Sequence, residues 1–200
     1  MENKFSINKN FRLSNERVVK LCFISTKDDF LICALNDSGT SVGRCRFEII
    51  DKTIHPLNKR QIQKFSHHYN EGGQSENSLF LVKEKNVNNG ETRSYITTKR
   101  PQTPPTSDAT TSSTKVCKLQ SIEVLSDEFF KVGLGSAMFK EMEKFAKTQN
   151  CTQIEAWFSP YGNFWSGSQE FYTKNGFKIE KDENGTVFAT KEIASFRQKI

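Results

Sequence analysis

The sequence predicts an α/β fold, a mixed β-sheet flanked by helices and opened by an N-terminal antiparallel meander. Three observations carry this expectation. Segments 17–25, 30–35 and 41–50 read as strands, and the turn-forming runs Thr26-Lys27-Asp28-Asp29 and Asn36-Asp37-Ser38-Gly39 separate them. Segment 116–125 alternates apolar and polar residues as a half-buried strand does. It leads into Gly133-Leu134-Gly135 and then a helix, in which Met138, Met142 and Phe145 recur at helical spacing.

Taken in order, the meander is followed by a long interruption of the sheet pattern. One domain is expected over 1–200, with 52–114 as an insertion between the third and fourth strands. Within it, 57–69 suits a helix anchored by Ile62 and Phe65, and 78–83 with 93–97 suits a hairpin around Asn88-Asn89-Gly90. Segment 100–114 has almost no large apolar residue and reads as a mobile loop. His67 and His68 are adjacent, so on a helix they point about 100° apart, and no metal site is expected there. The insertion is expected either to wall or cover a substrate site, or to be a solvated excursion with no role.

The glycine turn carries the chemistry. Gly133 and Gly135 let backbone approach a ligand with no side chain between. The helix that follows offers unpaired N–H groups and a positive dipole end to an anion. Two familiar phosphate motifs do not fit. A mononucleotide loop needs Gly-Lys-Ser/Thr, whereas Ser136-Ala137 follow Gly135. A dinucleotide fingerprint needs a third glycine where Met138 stands, and it normally sits on the first strand of its domain. The helix is expected to end near Asn150, a residue that tolerates the left-handed cap. A strand at 153–158, a loop at 159–163 and a short helix at 168–174 follow, closed by Asn175-Gly176 ahead of Phe177.

This succession resembles the GNAT superfamily of acyl-CoA-dependent N-acyltransferases. Val132-Gly133-Leu134-Gly135-Ser136-Ala137 matches its pyrophosphate loop, and Phe171-Tyr172-Thr173-Lys174-Asn175-Gly176-Phe177 its tyrosine and Gly-Phe signature. The resemblance is specific over 116–189. It implies that the amides of Lys131, Val132, Gly133, Leu134, Gly135 and Ser136 hold the pyrophosphate of acetyl-CoA, the acyl donor, with Leu125 and Asn163 as further contacts. The pantetheine arm would lie in a splayed gap between parallel strands 116–125 and 153–158. It further implies that Tyr172 protonates the leaving thiolate; an unperturbed phenol, with a pKa of about 10, is protonated at neutral pH. A carboxylate often serves as the base. Glu123 is the acidic residue within the strand before the turn, and strand parity sets it opposite to Ile122 and Val124. Glu155 is a further candidate, and a water chain would serve equally. Asp127 and Glu128 read as solvated turn charges, and Phe171 and Phe177 as core residues.

The chain departs from the family in three places. Phe130 stands where Arg or Gln is frequent, with Lys131 offering a basic group one position on. Trp165 stands where an asparagine is frequent, with Asn163 two residues earlier. The helices that usually follow the first strand have no room in a four-residue connection. The expected function is transfer of an acetyl or other short acyl group to a primary amine. The alternative is a non-catalytic acyl-CoA-binding module on the same fold.

Composition bounds the partners. A formal net charge of +6 suits anionic ligands, but the cations are scattered, so nucleic-acid binding is not indicated. Seventeen phenylalanines supply ample apolar area for a core. The five cysteines, Cys22, Cys33, Cys45, Cys117 and Cys151, read as reduced and mostly buried thiols, and no membrane-spanning run is present. These features suggest a cytoplasmic protein without a membrane partner. A homodimer is compatible with them. The acceptor stays open among a protein N-terminus, a lysine, a polyamine, an aminoglycoside and a small metabolite.

Overall fold

A computed structural model of the chain describes residues 8–57, 80–97, 112–158, 165–181 and 187–193. Its ten strands are β1 (Asn8–Arg12), β2 (Val18–Ser25), β3 (Phe30–Leu35), β4 (Ser41–Pro56), β5 (Phe80–Asn86), β6 (Thr92–Thr97), β7 (Ser112–Val124), β8 (Gln153–Phe158), β9 (Lys178–Lys181) and β10 (Val187–Glu192). Helix α1 (Leu134–Thr148) joins β7 to β8, and α2 (Trp165–Lys174) precedes β9. The strands form one mixed sheet in the order β1-β2-β3-β4-β7-β8-β10-β9, with the β5–β6 hairpin attached to β4.

The meander is as the turn residues imply, since β2, β3 and β4 pair antiparallel in sequence. The expected insertion boundaries need correction. β4 continues to Pro56 and β7 begins at Ser112, so both ends of 52–114 are paired strand. The polar Ser-Ser-Thr at 112–114 hides this, because those residues gain their strand conformation from the β4 ladder rather than from propensity. The expected hairpin is present as β5–β6, and Asn86 closes its turn by donating its N–H to Glu91 O (2.8 Å). The expected helix at 57–69, the histidine pair and most of the 100–114 segment lie outside the described residues.

Both hairpins use the same side of β4, one after the other. β3 pairs with it up to Phe47, and β5 takes over at Ile50. At the junction Asn86 Nδ2 donates to Asp28 O (3.0 Å) and to Glu48 Oε2 (2.8 Å), and Asn89 Nδ2 donates to Asp28 Oδ1 (3.0 Å). The two turns are thereby stitched together.

The core lies between the sheet and α1. Leu134, Met138, Met142 and Phe145 are buried on the helix face that covers β4 and β7. Phe145 meets Phe23, Phe30 and Phe47 at ring-centroid distances of 4.7, 4.8 and 5.7 Å. Close approach of α1 needs Gly43, because a Cβ there would stand 3.0 Å from Met138 Cε and 3.1 Å from Leu134 Cδ2. The helix ends as expected. Asn150 adopts φ 60°, its N–H donates to Lys147 O (3.0 Å), and Cys151 N–H donates to Ala146 O (3.0 Å). This is the Schellman pattern with asparagine in place of glycine.

Gly43→Val should lift α1 from the sheet and cost about 1–3 kcal/mol, the usual range for overpacking. Urea unfolding monitored by circular dichroism measures it, and an unchanged midpoint would contradict this packing.

Candidate active site

Among the described residues β7 and β8 are the parallel pair in the sheet, and they stay together only briefly. Val116, Cys117, Lys118 and Leu119 face Gln153, Ile154, Glu155 and Ala156, and the register ends there. The separation has a local cause on the other edge of β7. Phe47 faces Leu119 while Arg46 faces Ser121, so Gln120 is an extra residue without a partner on β4. Such a bulge bends its strand and increases its twist. β7 therefore turns away from β8 one residue after their last paired position, leaving a split between them. Beyond it, Ile122 and Val124 pack toward α1, and Glu123 points to the opposite face.

The turn after β7 forms the floor of this split. Asp127–Phe129 is a short 3-10 segment, Lys131 adopts φ 58°, and Gly133 caps α1 with φ 91°. That conformation is open to glycine at little cost. Ala137 N–H donates to Gly133 O (2.9 Å), the first inward bond of the helix. By helix geometry, the amides of Leu134, Gly135 and Ser136 have no intrahelical acceptor and face outward beside Gly133. The loop between β1 and β2 braces the turn. Ser14 donates both its N–H (3.3 Å) and its Oγ–H (3.2 Å) to Val132 O. Arg17 pairs with Glu128 and lies 5.5 Å from the Phe129 ring centroid. Sequence reasoning missed this brace, since β1 carries no apolar alternation and Ser14 no motif.

The second glycine has a different task from the first. A Cβ on Gly135 would stand 3.3 Å from Phe171 Cε2 and 3.6 Å from Ile122 Cγ2. Gly135 thus admits α2 against the first turn of α1. Asn175 ties the same corner by donating from Nδ2 to Ser136 Oγ (3.3 Å) and to Phe171 O (2.8 Å). The end of α2 fixes Tyr172. Gly176 adopts φ 82°, its N–H donates to Thr173 O (3.0 Å), and Phe177 N–H donates to Tyr172 O (3.0 Å). This Schellman closure sets Phe177 edge-on to Tyr172, with ring centroids 5.1 Å apart. Burial pushes the Tyr172 phenol up to about 12, with a smaller push from Cys45. Cys45 faces Ile122 of β7 across the ladder. Tyr172 therefore lies on the α1 side of β7, beyond the bulge and beside the split.

The carboxylate candidates fare differently. Glu123 is exposed, in register with Arg44, and on the sheet face opposite to Tyr172. Glu155 is buried and engaged, its Oε1 accepting from Lys52 Nζ (2.8 Å). Lys52 also lies 3.9 Å from Glu84, which accepts from Tyr95 Oη (3.0 Å) and Lys118 Nζ (2.5 Å). This buried network, on the face away from α1, holds the β5–β6 hairpin to the β7–β8 pair. It removes Glu155 from the set of open bases, because a buried carboxylate that releases its ammonium partner bears a large desolvation cost. The sequence gives no sign of it, since its members come from five strands. Leu125 and Phe130 are 44% and 51% exposed and flank the glycine turn. Asn163 lies outside the described residues. Among the described residues no group of His, Cys, Asp and Glu is arranged to hold a metal ion, and no helix is long and apolar enough to cross a membrane.

No family model matches the sequence, and no curated protein matches it. Solved structures do. The GNAT domain of PAT from S. lividans superposes with a TM-score of 0.50 at 10% identity, over 92% of this chain and 96% of that one. GNAT-family acetyltransferases from Streptococcus pneumoniae (TM-score 0.44, 13% identity, 85% and 70% covered) and Staphylococcus aureus (0.43, 11%, 84% and 70%) also match. The fold that the split parallel pair and its glycine turn define is the GNAT fold, and this chain has it.

The Tyr172 shift has a measurable consequence. Below pH 10 the phenol is protonated both folded and unfolded, so it contributes no pH dependence there. Between about 10 and about 12 the unfolded chain releases this proton first, and stability falls as pH rises. Tyr172→Phe should remove that part of the fall. Urea midpoints at pH 9 to 11.5 for both chains test it, and parallel curves would contradict a buried phenol.

Proposed function

We propose that this chain is an N-acyltransferase that moves an acetyl or other short acyl group from acyl-CoA to a primary amine by direct attack in a ternary complex. The observation that carries the reading is the convergence of three features at one end of the β7–β8 pair. These are the split beyond Leu119 and Ala156, the outward amides at the start of α1, and Tyr172 on α2. Coenzyme A needs an anion cradle and, next to it, a slot for an extended arm that carries amide groups. Backbone left unpaired along a split strand pair suits such an arm in the way an added strand suits a sheet edge.

In this reading the amides of residues 131–136 hold the pyrophosphate, with Lys131 adding a mobile positive charge. Leu125 and Phe130 supply apolar surface at the mouth of the cradle. The neutral amine attacks the thioester carbonyl carbon, the tetrahedral intermediate collapses, and the C–S bond breaks. Tyr172 gives its phenolic proton to the departing thiolate. Its raised pKa keeps it protonated throughout the neutral range. The amine sheds its proton on the other side of the sheet, to water or to Glu123.

The second reading, a non-catalytic acyl-CoA-binding module, is favoured by two observations. Glu155 is held in an ion pair, and Glu123 is exposed rather than poised in a cleft. Release of free thiol from acetyl-CoA in the presence of a panel of amines separates the two. Turnover of at least one amine is expected, with kcat about 100-fold lower in Tyr172→Phe and KM for acetyl-CoA little changed. Binding of acetyl-CoA without turnover of any amine would leave the module, and equal turnover by Tyr172→Phe would remove the tyrosine from the chemistry.

A further inference from the structure

The five cysteines separate into two groups by position. Cys45, Cys117 and Cys151 are fully buried at 0% exposure, and burial pushes each thiol well above its ordinary range. Cys22 and Cys33 are half-buried and lie on neighbouring strands. They are direct partners in the β2–β3 ladder. On β2 the residues turned to the core are Val19 and Leu21, and on β3 they are Ile32 and Ala34. By alternation Cys22 and Cys33 share the opposite face, the one not covered by α1.

Directly opposed residues in an antiparallel pair have Cα atoms about 4.5–5.5 Å apart. Disulfides span Cα separations of about 4.4–6.8 Å, so the bond can close without moving either strand far. The next strand adds a charge. Cys33 faces Arg44 on β4, and Arg44 in turn faces Glu123 on β7. The Cys33 thiol is pushed up overall: burial raises it, the Arg44 guanidinium opposes this, and Cys22 adds a smaller push up. The thiolate is the species that oxidants attack.

We propose that Cys22 and Cys33 form a reversible cross-strand disulfide, so that the β2–β3 hairpin is a site of oxidative modification by peroxides. The Cys33 thiolate attacks a peroxide oxygen, giving a sulfenic acid and releasing water once a proton is taken up. The Cys22 thiolate then attacks the sulfenic sulfur, forms the S–S bond and expels the hydroxyl as water. Two thiols and one hydrogen peroxide give one disulfide and two waters, and a dithiol reductant reverses the change. The proposal does not depend on the proposed acyl transfer.

The test uses the full chain, treated with hydrogen peroxide, quenched by alkylation and mapped by peptide mass spectrometry before and after dithiothreitol. The expected result is a linked pair of peptides carrying Cys22 and Cys33, lighter by two hydrogen atoms, that dithiothreitol separates. Cys22→Ser should lose the link and accumulate the sulfenic acid on Cys33, which dimedone traps. Absence of the link in the wild type would overturn the proposal. So would linkage of another pair, such as Cys117 with Cys151, or reaction of Cys33 that stops at the sulfenic or sulfinic acid while Cys22 remains a thiol.

Discussion

One residue without a partner on β4, Gln120, governs the shape of the end of the molecule that carries the candidate site. The long ladder between β4 and β7 holds β7 in the middle of the sheet, and the bulge within that ladder redirects its last residues. Were the register unbroken, β7 would continue beside β8 and the parallel pair would close. Its inward residues would also fall out of phase. The extra residue is what allows Leu119 and Ile122, three positions apart, both to face α1. Strand separation and the placement of Ile122 beneath Gly135 are thus two results of a single irregularity.

The glycine turn depends on that redirected strand and divides its labour between two residues. Gly133 supplies a backbone conformation, and Gly135 supplies space for Phe171. The start of α1 and the placement of Tyr172 are consequently coupled. A side chain at Gly135 would move α2 as well as obstruct the cradle, so loss of ligand binding in such a variant would not isolate the amides. Lys131, exposed and outside this contact, is the position at which charge can be reversed without disturbing the packing.

The legible parts of the fold were those in which local chemistry and tertiary structure agree. Turn residues marked the meander, helical spacing marked α1, and Asn150 and Gly176 stopped the two helices in left-handed conformations. Motif order alone singled out Tyr172 and the turn residues 131–136 as candidates, before any packing was known. The misses have a common origin. The continuation of β4 to Pro56, the early start of β7 at Ser112 and strand β1 all lie in polar segments whose conformation comes from ladder partners distant in sequence. The burial of Glu155 was illegible for the same reason. On its own strand it alternates as a surface residue would, and only Lys52, on another strand, makes its burial tolerable. Glu123 lies on the polar face, as its parity implies, exposed and in register with Arg44.

The claim that the β7–β8 split and the glycine turn together receive a coenzyme A thioester is tested most directly by amide hydrogen exchange with and without acetyl-CoA. The expected result is slowed exchange at residues 131–136 and along 120–124 of β7, with little change in the β2–β3 hairpin. The ligand should then be covering the outward amides and the unpaired strand backbone at once. Unchanged exchange at both segments under saturating acetyl-CoA would contradict the account, and so would protection confined to the charged network around Lys52 and Glu84.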